Sequence, residues 1–138
     1  MRALVTGDRE WTDRELIRRL LRRLPAGSVV IHGGARGADR LAGSVARELG
    51  FAEVEFRADW RLGKKAGYLR NQRMLTLGEP DLVLAFHSDL ASSKGTADMV
   101  RRARKAGVPV HVYDGSEADT GWSDMSMKVA EAEYEEVE

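Results

Sequence analysis

The chain has 138 residues, no cysteine and a formal net charge of zero, with 22 basic and 22 acidic side chains. This length fits one domain with a substantial core, and the lack of cysteine excludes a disulfide framework and a thiolate metal site. No apolar stretch approaches the roughly 20 residues that a membrane-spanning helix needs. A strand-like run begins almost at Met1, so we expect a cytoplasmic protein without a secretory signal or membrane partner.

The net charge of zero hides two oppositely charged parts. Residues 1–113 contain 21 bases and 13 acids, whereas residues 114–138 contain nine acids and one base. A basic body is typical of proteins that bind anionic ligands, although charged helix faces also serve solubility alone. We therefore predict a domain over residues 1–113 and an acidic tail over residues 114–138. Residues 125–138 are either a short, weak helix that docks on a partner or a frayed, solvated segment.

Five short apolar runs alternate with helical patterns along the body. The runs cover residues 2–6, 28–32, 52–56, 81–86 and 109–113, and the helical patterns cover residues 12–24, 38–49, 65–77 and 96–106. Thr12, with Glu15 three residues later, predicts a capping box for the first helix. The alternation predicts a Rossmann-like, doubly wound parallel sheet with strand order 3-2-1-4-5, helices on both faces and a crevice between strands 1 and 4.

The loop after the second strand is the first candidate anion site. Gly33 and Gly34 let backbone N–H groups approach a phosphate, and Gly37 opens the following helix. Arg36 is suited to bidentate contact with the phosphate, and Asp39 either caps backbone N–H groups or accepts from a ribose hydroxyl. The spacing matches neither GxGxxG nor GxxxxGK[ST], which disfavours dinucleotide dehydrogenases and P-loop NTPases. The pattern is equally typical of a tight turn with close helix packing.

Two further strand ends lead to the same predicted edge of the sheet. Thr6, Gly7 and Arg9 follow the first strand, and Gly95 with Thr96 opens the fourth helix. Thr96 is predicted as an N-cap, as a hydroxyl donor to phosphate, or as both. Asp98 lies in the first turn of that helix. Its carboxylate either interacts favourably with the positive end of the helix dipole or acts in acid–base chemistry.

The segment after the third strand combines aromatic and polar side chains. Trp60 or Tyr68 is placed to stack on a base, and Arg70 and Asn71 are placed to project towards the same crevice. The alternative is that Trp60 closes the hydrophobic edge and Arg70 forms an ion pair. The three histidines show no carboxylate clustering at ligand spacing, so neither a metal nor a cofactor is expected.

Taken together and in this order, these motifs resemble the SLOG superfamily, named for Smf/DprA and Lonely-guy proteins, and within it the small YspA/cpYpsA-related branch. The resemblance covers about residues 2–113. It rests on the motifs at residues 6–9, 33–39, 58–60, 66–74 and 95–99. It implies a Rossmann-like fold, a nucleotide-type ligand site and an origin in a bacterial or phage genome.

Two kinds of relative suggest alternative functions. Lonely-guy proteins are phosphoribohydrolases with the motif PGGxGTxxE, but the position of that glutamate is Met99 here. Asp98 lies one residue earlier, and one residue rotates a helical side chain by about 100°, so Asp98 does not simply take over that role. Smf/DprA proteins bind single-stranded DNA, and their Ser-Gly-x-Ala-Arg-Gly-Ile-Asp loop is similar to residues 33–39. SLOG domains of defence systems bind ADP-ribose-like signals.

We therefore expect a module that binds a nucleotide or a nucleotide-derived molecule, as a sensor or by sequestration, and forms a homo-oligomer, a dimer in the simplest case. The alternatives are an N-glycosidic phosphoribohydrolase, with Asp98 and Arg70 as candidate catalytic residues, and, less favoured, a single-stranded nucleic-acid binder. The predicted ligand-binding residues are Thr6, Gly7, Arg9, Gly33, Gly34, Arg36, Gly37, Asp39, Trp60, Arg70, Asn71, Gly95 and Thr96.

Overall fold

A computed structural model describes residues 1–116 of the chain. These residues form a five-stranded parallel sheet in the order β3-β2-β1-β4-β5. The strands are β1 (Arg2–Gly7), β2 (Val29–His32), β3 (Ala52–Glu55), β4 (Leu82–Phe86) and β5 (Val110–Tyr113). The predicted fold class and strand order are confirmed.

Four α-helices connect the strands: α1 (Arg14–Leu21), α2 (Ala38–Leu49), α3 (Ala66–Thr76) and α4 (Gly95–Lys105). Two 3₁₀ segments, Trp60–Lys65 and Leu90–Ser92, precede α3 and α4. Helix α1 packs against α2, and α3 packs against α4. The two pairs cover opposite faces of the sheet, as right-handed crossovers on either side of a central strand require.

Alternate residues of β1 show how the two halves of the core arise. Ala3 and Val5 face the cluster that includes the buried leucines of α1, whereas Leu4 faces the cluster formed with Met74 and Met99. All three β1 side chains are fully buried. Successive side chains of a strand point to opposite faces, so burial of every residue requires helices on both sides.

The start of α1 differs from the sequence prediction. Asp13, not Thr12, is the N-cap, and its Oδ1 accepts a hydrogen bond from the backbone N–H of Leu16 at 3.0 Å. Asp is at least as good an N-cap as Thr and adds a negative charge at the positive end of the helix dipole. The predicted capping box at Thr12 is therefore wrong by one residue.

The predicted tail helix at residues 125–138 lies outside the described residues. Within residues 1–116, none of the helices combines the length and the apolar character that crossing a membrane requires.

Candidate functional site

The carboxyl ends of β1 and β4 border a crevice of about 360 Å³. Gly7 pairs with Phe86 in register, and the Asp8 N–H donates to the Phe86 carbonyl at 2.8 Å. This is the point at which consecutive crossovers leave the sheet in opposite directions, where open α/β sheets bind ligands. The crevice is lined by Thr6, Gly7, Asp8, Arg9, Ala35, Asp39, Arg70, Asn71, Met74, His87, Ser93, Lys94, Gly95 and Thr96.

The glycine loop after β2 already holds a side chain of this protein, the carboxyl group of Asp39. Its Oδ2 accepts from the Gly33 N–H at 2.9 Å, and the Ala35 N–H also stabilises the charged form. The Gly34 N–H donates to His32 Nδ1 at 3.0 Å. Two side chains, Asp39 and His32, therefore organise the loop. Asp39 caps backbone N–H groups, the first of the two roles predicted for it from the sequence.

Burial governs the electrostatics of the crevice floor. Asp39 is 5% exposed, and this burial raises the pKa of its carboxyl, while nearby Arg70 and His32 and the loop N–H groups oppose the rise. Burial also lowers the pKa of the half-buried Arg70, and the charge of Asp39 opposes that change. Asp39 and Arg70 thus both line the crevice as partly desolvated groups, and the charge of each influences the pKa of the other.

A hydrogen-bonded chain joins the two glycine loops. Arg70 Nη1 donates to the Gly33 carbonyl at 2.7 Å, and Arg70 Nε donates to Asn71 Oδ1 at 3.1 Å. Asn71 Nδ2 donates to the Gly95 carbonyl at 3.2 Å and to Asp98 Oδ2 at 3.0 Å. Because Asn71 is 3% exposed, these bonds fix the spacing between the loops after β2 and β4.

Asp98 is part of this chain and does not line the crevice. Arg102 Nε donates to its Oδ2 at 2.8 Å, and Arg101 lies 3.6 Å from its Oδ1. With 7% of the residue exposed, the carboxylate is enclosed by these partners. Its geometry is that of a structural anchor between α3 and α4, and the catalytic role suggested for it stays a prediction.

The start of α4 is capped by a residue that the sequence analysis passed over. Ser93 Oγ accepts from the N–H groups of Thr96 at 3.1 Å and Ala97 at 3.3 Å. Thr96 is itself the second residue of the helix and is 6% exposed. A phosphate at this helix terminus would therefore share or displace the Ser93 hydroxyl.

A second and larger cavity, of about 760 Å³, opens over the ends of β2 and β3. It is lined by five arginines, one carboxylate, one indole and the glycine loop: Arg9, Arg36, Arg40, Arg57, Arg70, Glu55, Trp60, Gly33, Gly34, Ala35 and Ala58. Arg36 pairs with Glu10 at 2.5 Å, and the Arg9 guanidinium lies 5.9 Å from the Trp60 ring. The excess of positive charge makes this cavity attractive to anions.

Arg9, Ala35 and Arg70 line both cavities, so the two adjoin. Most of the residues predicted to bind a ligand meet in one or both of them. Gly37 and Asp98 line neither, and Tyr68, the alternative stacking residue, also lies outside both. Trp60 is 57% exposed and lines the larger cavity, so of the two aromatic candidates it is the one available for stacking there.

The buried His32 has carboxylate neighbours that the sequence analysis did not predict. His32, Glu53 and Glu55 offer ligand atoms within 4.8 Å of one another, because strand pairing sets His32 beside Glu55. The Gly34 N–H points at Nδ1, so Nε2 carries the proton and donates to Glu53 at 2.6 Å. Arg47 and Arg57 also pair with the two carboxylates. This arrangement suits a proton-bearing imidazole better than a metal-bound one.

Three further residues line the larger cavity without having been predicted from the sequence: Arg40, Glu55 and Arg57. The sequence contained a signal for two of them, since Glu55 lies near the carboxyl end of the run predicted over residues 52–56, and Arg57 directly follows that run. Neighbouring parallel strands end at the same edge of a sheet, so residues after both strands share one surface. Arg40 lies in the first turn of α2, where its Nε donates to the Gly34 carbonyl at 3.2 Å.

Comparison with known proteins agrees with this Rossmann-like class. A family model described as the YspA, cpYpsA-related SLOG family matches residues 1–63. The gene 61 protein of Mycobacterium phage D29 is 47% identical, over 79% of this chain and 93% of that protein. The chain belongs to the YspA, cpYpsA-related SLOG family.

Two solved structures share the fold. DNA processing protein A (DprA) of Streptococcus pneumoniae superposes with a TM-score of 0.69 at 19% identity, over 95% of this chain and 56% of that chain. The structural-genomics target TM1055 superposes with a TM-score of 0.62 at 22% identity, over 91% of this chain and 79% of that chain. The chain thus spans little more than half the length of DprA, and at these identities the likeness concerns the fold.

Proposed function

We propose that the two adjoining cavities bind a nucleotide or a nucleotide-derived molecule. The observation that carries this proposal is the position of Arg9 and Arg70, which line both the crevice and the arginine-rich cavity. A phosphate beside these guanidinium groups would have the glycine loop on one side. A base in the larger cavity would have the exposed indole of Trp60 available for stacking.

Titration calorimetry of the full chain with AMP tests this proposal. Arg9→Ala should weaken binding by about 1.5 kcal/mol or more, the low end for hydrogen bonds to charged groups. Arg104→Ala is the matched control, because Arg104 is an exposed arginine of α4 outside both cavities. Equal loss in the two variants would indicate non-specific attraction and reject the site.

Single-stranded nucleic-acid binding is the second candidate function, favoured by the same five arginines beside Trp60. The name of the fold relative DprA, a DNA processing protein, fits this alternative. A chain of phosphates crossing both cavities would release counterions and would bind less tightly as salt increases.

The phosphoribohydrolase alternative has weaker support, because Asp98 is enclosed by Asn71 and Arg102. Asp8 and Asp39 both line the crevice; of the two, Asp39 is buried, and its raised pKa is a feature shared with general acids. Release of free base from AMP by the wild type, abolished in Asp39→Asn, would favour a hydrolase over a binding module.

A further inference from the structure

The larger cavity contains one carboxylate among its arginines, that of Glu55 at the end of β3. Strands β2 and β3 are neighbours joined by α2, and the glycine loop follows β2. Glu55 comes about twenty residues after Gly34, at the end of the next strand. In dinucleotide-binding folds, a carboxylate with this relation to a glycine loop accepts hydrogen bonds from ribose hydroxyls.

The glycine loop lies directly against this carboxylate. Gly34 has φ +74°, and a Cβ there would lie 2.9 Å from Glu55 Cδ. Glycine therefore permits both the backbone conformation and the close approach. As a result, the loop and the Glu55 carboxylate border the same space in the cavity.

Glu55 keeps acceptor capacity towards that space. Arg57 Nε donates to Oε2, and the Glu55 side chain remains 30% exposed. A carboxylate offers about four lone-pair positions, so one guanidinium contact leaves others for a ligand. The cluster of His32, Glu53 and Glu55 is disfavoured as a metal site, because His32 Nε2 carries a proton and donates it to Glu53.

Glu55 differs in charge from the arginines that surround it in the cavity. The arginines of the cavity attract phosphate, whereas Glu55 repels it, so a ligand made of phosphate alone gains nothing from this carboxylate. We propose that Glu55 selects ligands that present two neighbouring hydrogen-bond donors, either the cis-hydroxyls of ribose or the N–H edge of guanine. This inference rests on the proposed nucleotide-binding function and assigns its specificity.

The test is calorimetric titration of the full chain with AMP, 2′-deoxy-AMP, GMP and 2′-deoxy-GMP. A ribose diol contact predicts that both ribonucleotides bind about tenfold more tightly than their deoxy forms. A guanine contact predicts the same preference for both guanine nucleotides over the adenine ones. In either case Glu55→Gln should abolish the preference, because an amide replaces one acceptor oxygen with a donor.

Glu10→Gln is the matched control, since Glu10 also pairs with a cavity arginine, Arg36, but does not line the cavity. This variant should keep the preference while removing the same unit of charge. Thermal unfolding of each variant shows whether its fold is intact. If Glu55→Gln kept the preference for ribose or for guanine, or if a wild type that binds all four nucleotides lacked it, the inference would be overturned while the proposed function would stand. A wild type that binds none of the four would overturn the proposed function and this inference together.

Discussion

At the scale of single residues, His32 shows how the tertiary structure fixes a tautomer. Its ring is 1% exposed, with Nδ1 accepting from the glycine loop and Nε2 donating to Glu53. Gly43 of α2 makes room for this pair, because a Cβ there would overlap Glu53 Oε2 and lie 2.7 Å from His32 Nε2. The pair therefore links α2, the edge strand and the loop that borders both cavities.

Removing Glu53 should destabilise the fold in a pH-dependent way. Glu53→Ala leaves a buried N–H of His32 without its acceptor, which should cost about 1–3 kcal/mol of unfolding free energy near neutral pH. The hydrogen bond from His32 holds the pKa of Glu53 below its ordinary value of 4.5. The Glu53 carboxylate therefore takes up a proton more readily in the unfolded chain than in the folded one. This stabilisation is present above pH 4.5 and is lost as the pH falls through the lowered pKa of the folded state.

Urea unfolding of wild type and Glu53→Ala, followed by circular dichroism from about pH 7 to about pH 3, measures this difference. The gap between the two proteins should narrow below pH 4.5. Glu10→Ala, which removes an exposed ion pair, is the control and should change stability by less than about 0.5 kcal/mol. A gap that stays constant to the lowest pH would show that the ionised carboxylate of Glu53 is not its source.

At the scale of elements, the exit of β1 packs directly on the entry of α2. Gly37 is the N-cap of α2 with φ +78°, and the Ala38 N–H donates to the Asp8 carbonyl at 3.1 Å. A Cβ on Gly37 would overlap the Asp8 carbonyl and lie 2.5 Å from the Arg9 carbonyl oxygen. Gly37 thus sets the path of the backbone that presents Arg9 to both cavities, although it lines neither.

Two glycine variants compare the stability cost of a Cβ at a crowded position with its cost at an open one. Gly37 and Gly107 both have positive φ, but within residues 1–116 no atom lies within 4 Å of a Cβ on Gly107. Gly107→Ala should therefore cost only about 1–2 kcal/mol, the penalty for an L-residue in the left-handed region. Gly37→Ala should cost a further 1–3 kcal/mol or so, from the overlap and from the ψ of −129° at Gly37, which lies outside the left-handed helical region. Urea unfolding gives both values, and equal losses would contradict the close contact.

At the scale of the whole molecule, charge is divided along the chain. Residues 117–138 contain eight acids and one base, whereas residues 1–116 carry the arginines of the cavities. An acidic segment attached to a basic domain lowers the positive electrostatic potential around that domain and so weakens its attraction for polyanions. The full chain is neutral overall, which limits long-range steering of nucleic acid towards the cavities.

Deleting residues 117–138 should increase retention of a single-stranded oligonucleotide at low salt, because the deletion removes seven net negative charges. Mobility-shift titrations with the full and truncated chains measure the effect. At about 150 mM salt, exposed charges more than about 8 Å apart are largely screened, so incidental binding should disappear. Full-length binding that survives there and falls in Trp60→Ala would instead favour the nucleic-acid function, since base stacking contributes about 1–3 kcal/mol per base.

Much of the fold could be predicted because its signals are local. Apolar runs located all five strands, and the i, i+3, i+4 pattern placed α2 at the bounds the structure gives, Ala38–Leu49. Helix termini were less accurate, because caps depend on which polar side chain reaches a free N–H. Asp13 replaced Thr12 in this role, and Ser93 replaced Thr96.

Local sequence patterns predict the parallel sheet, its strand order and the edge at which the glycine loops meet, because βαβ connections have one favoured hand. The tertiary structure sets the side-chain partners near those loops: Asp39 accepts from the Gly33 N–H, and Asp98 lies between Asn71 and Arg102. It also decided that the site is divided into two adjoining cavities with Arg9 and Arg70 between them. These features depend on the register and packing of elements far apart in the chain, which no local pattern encodes.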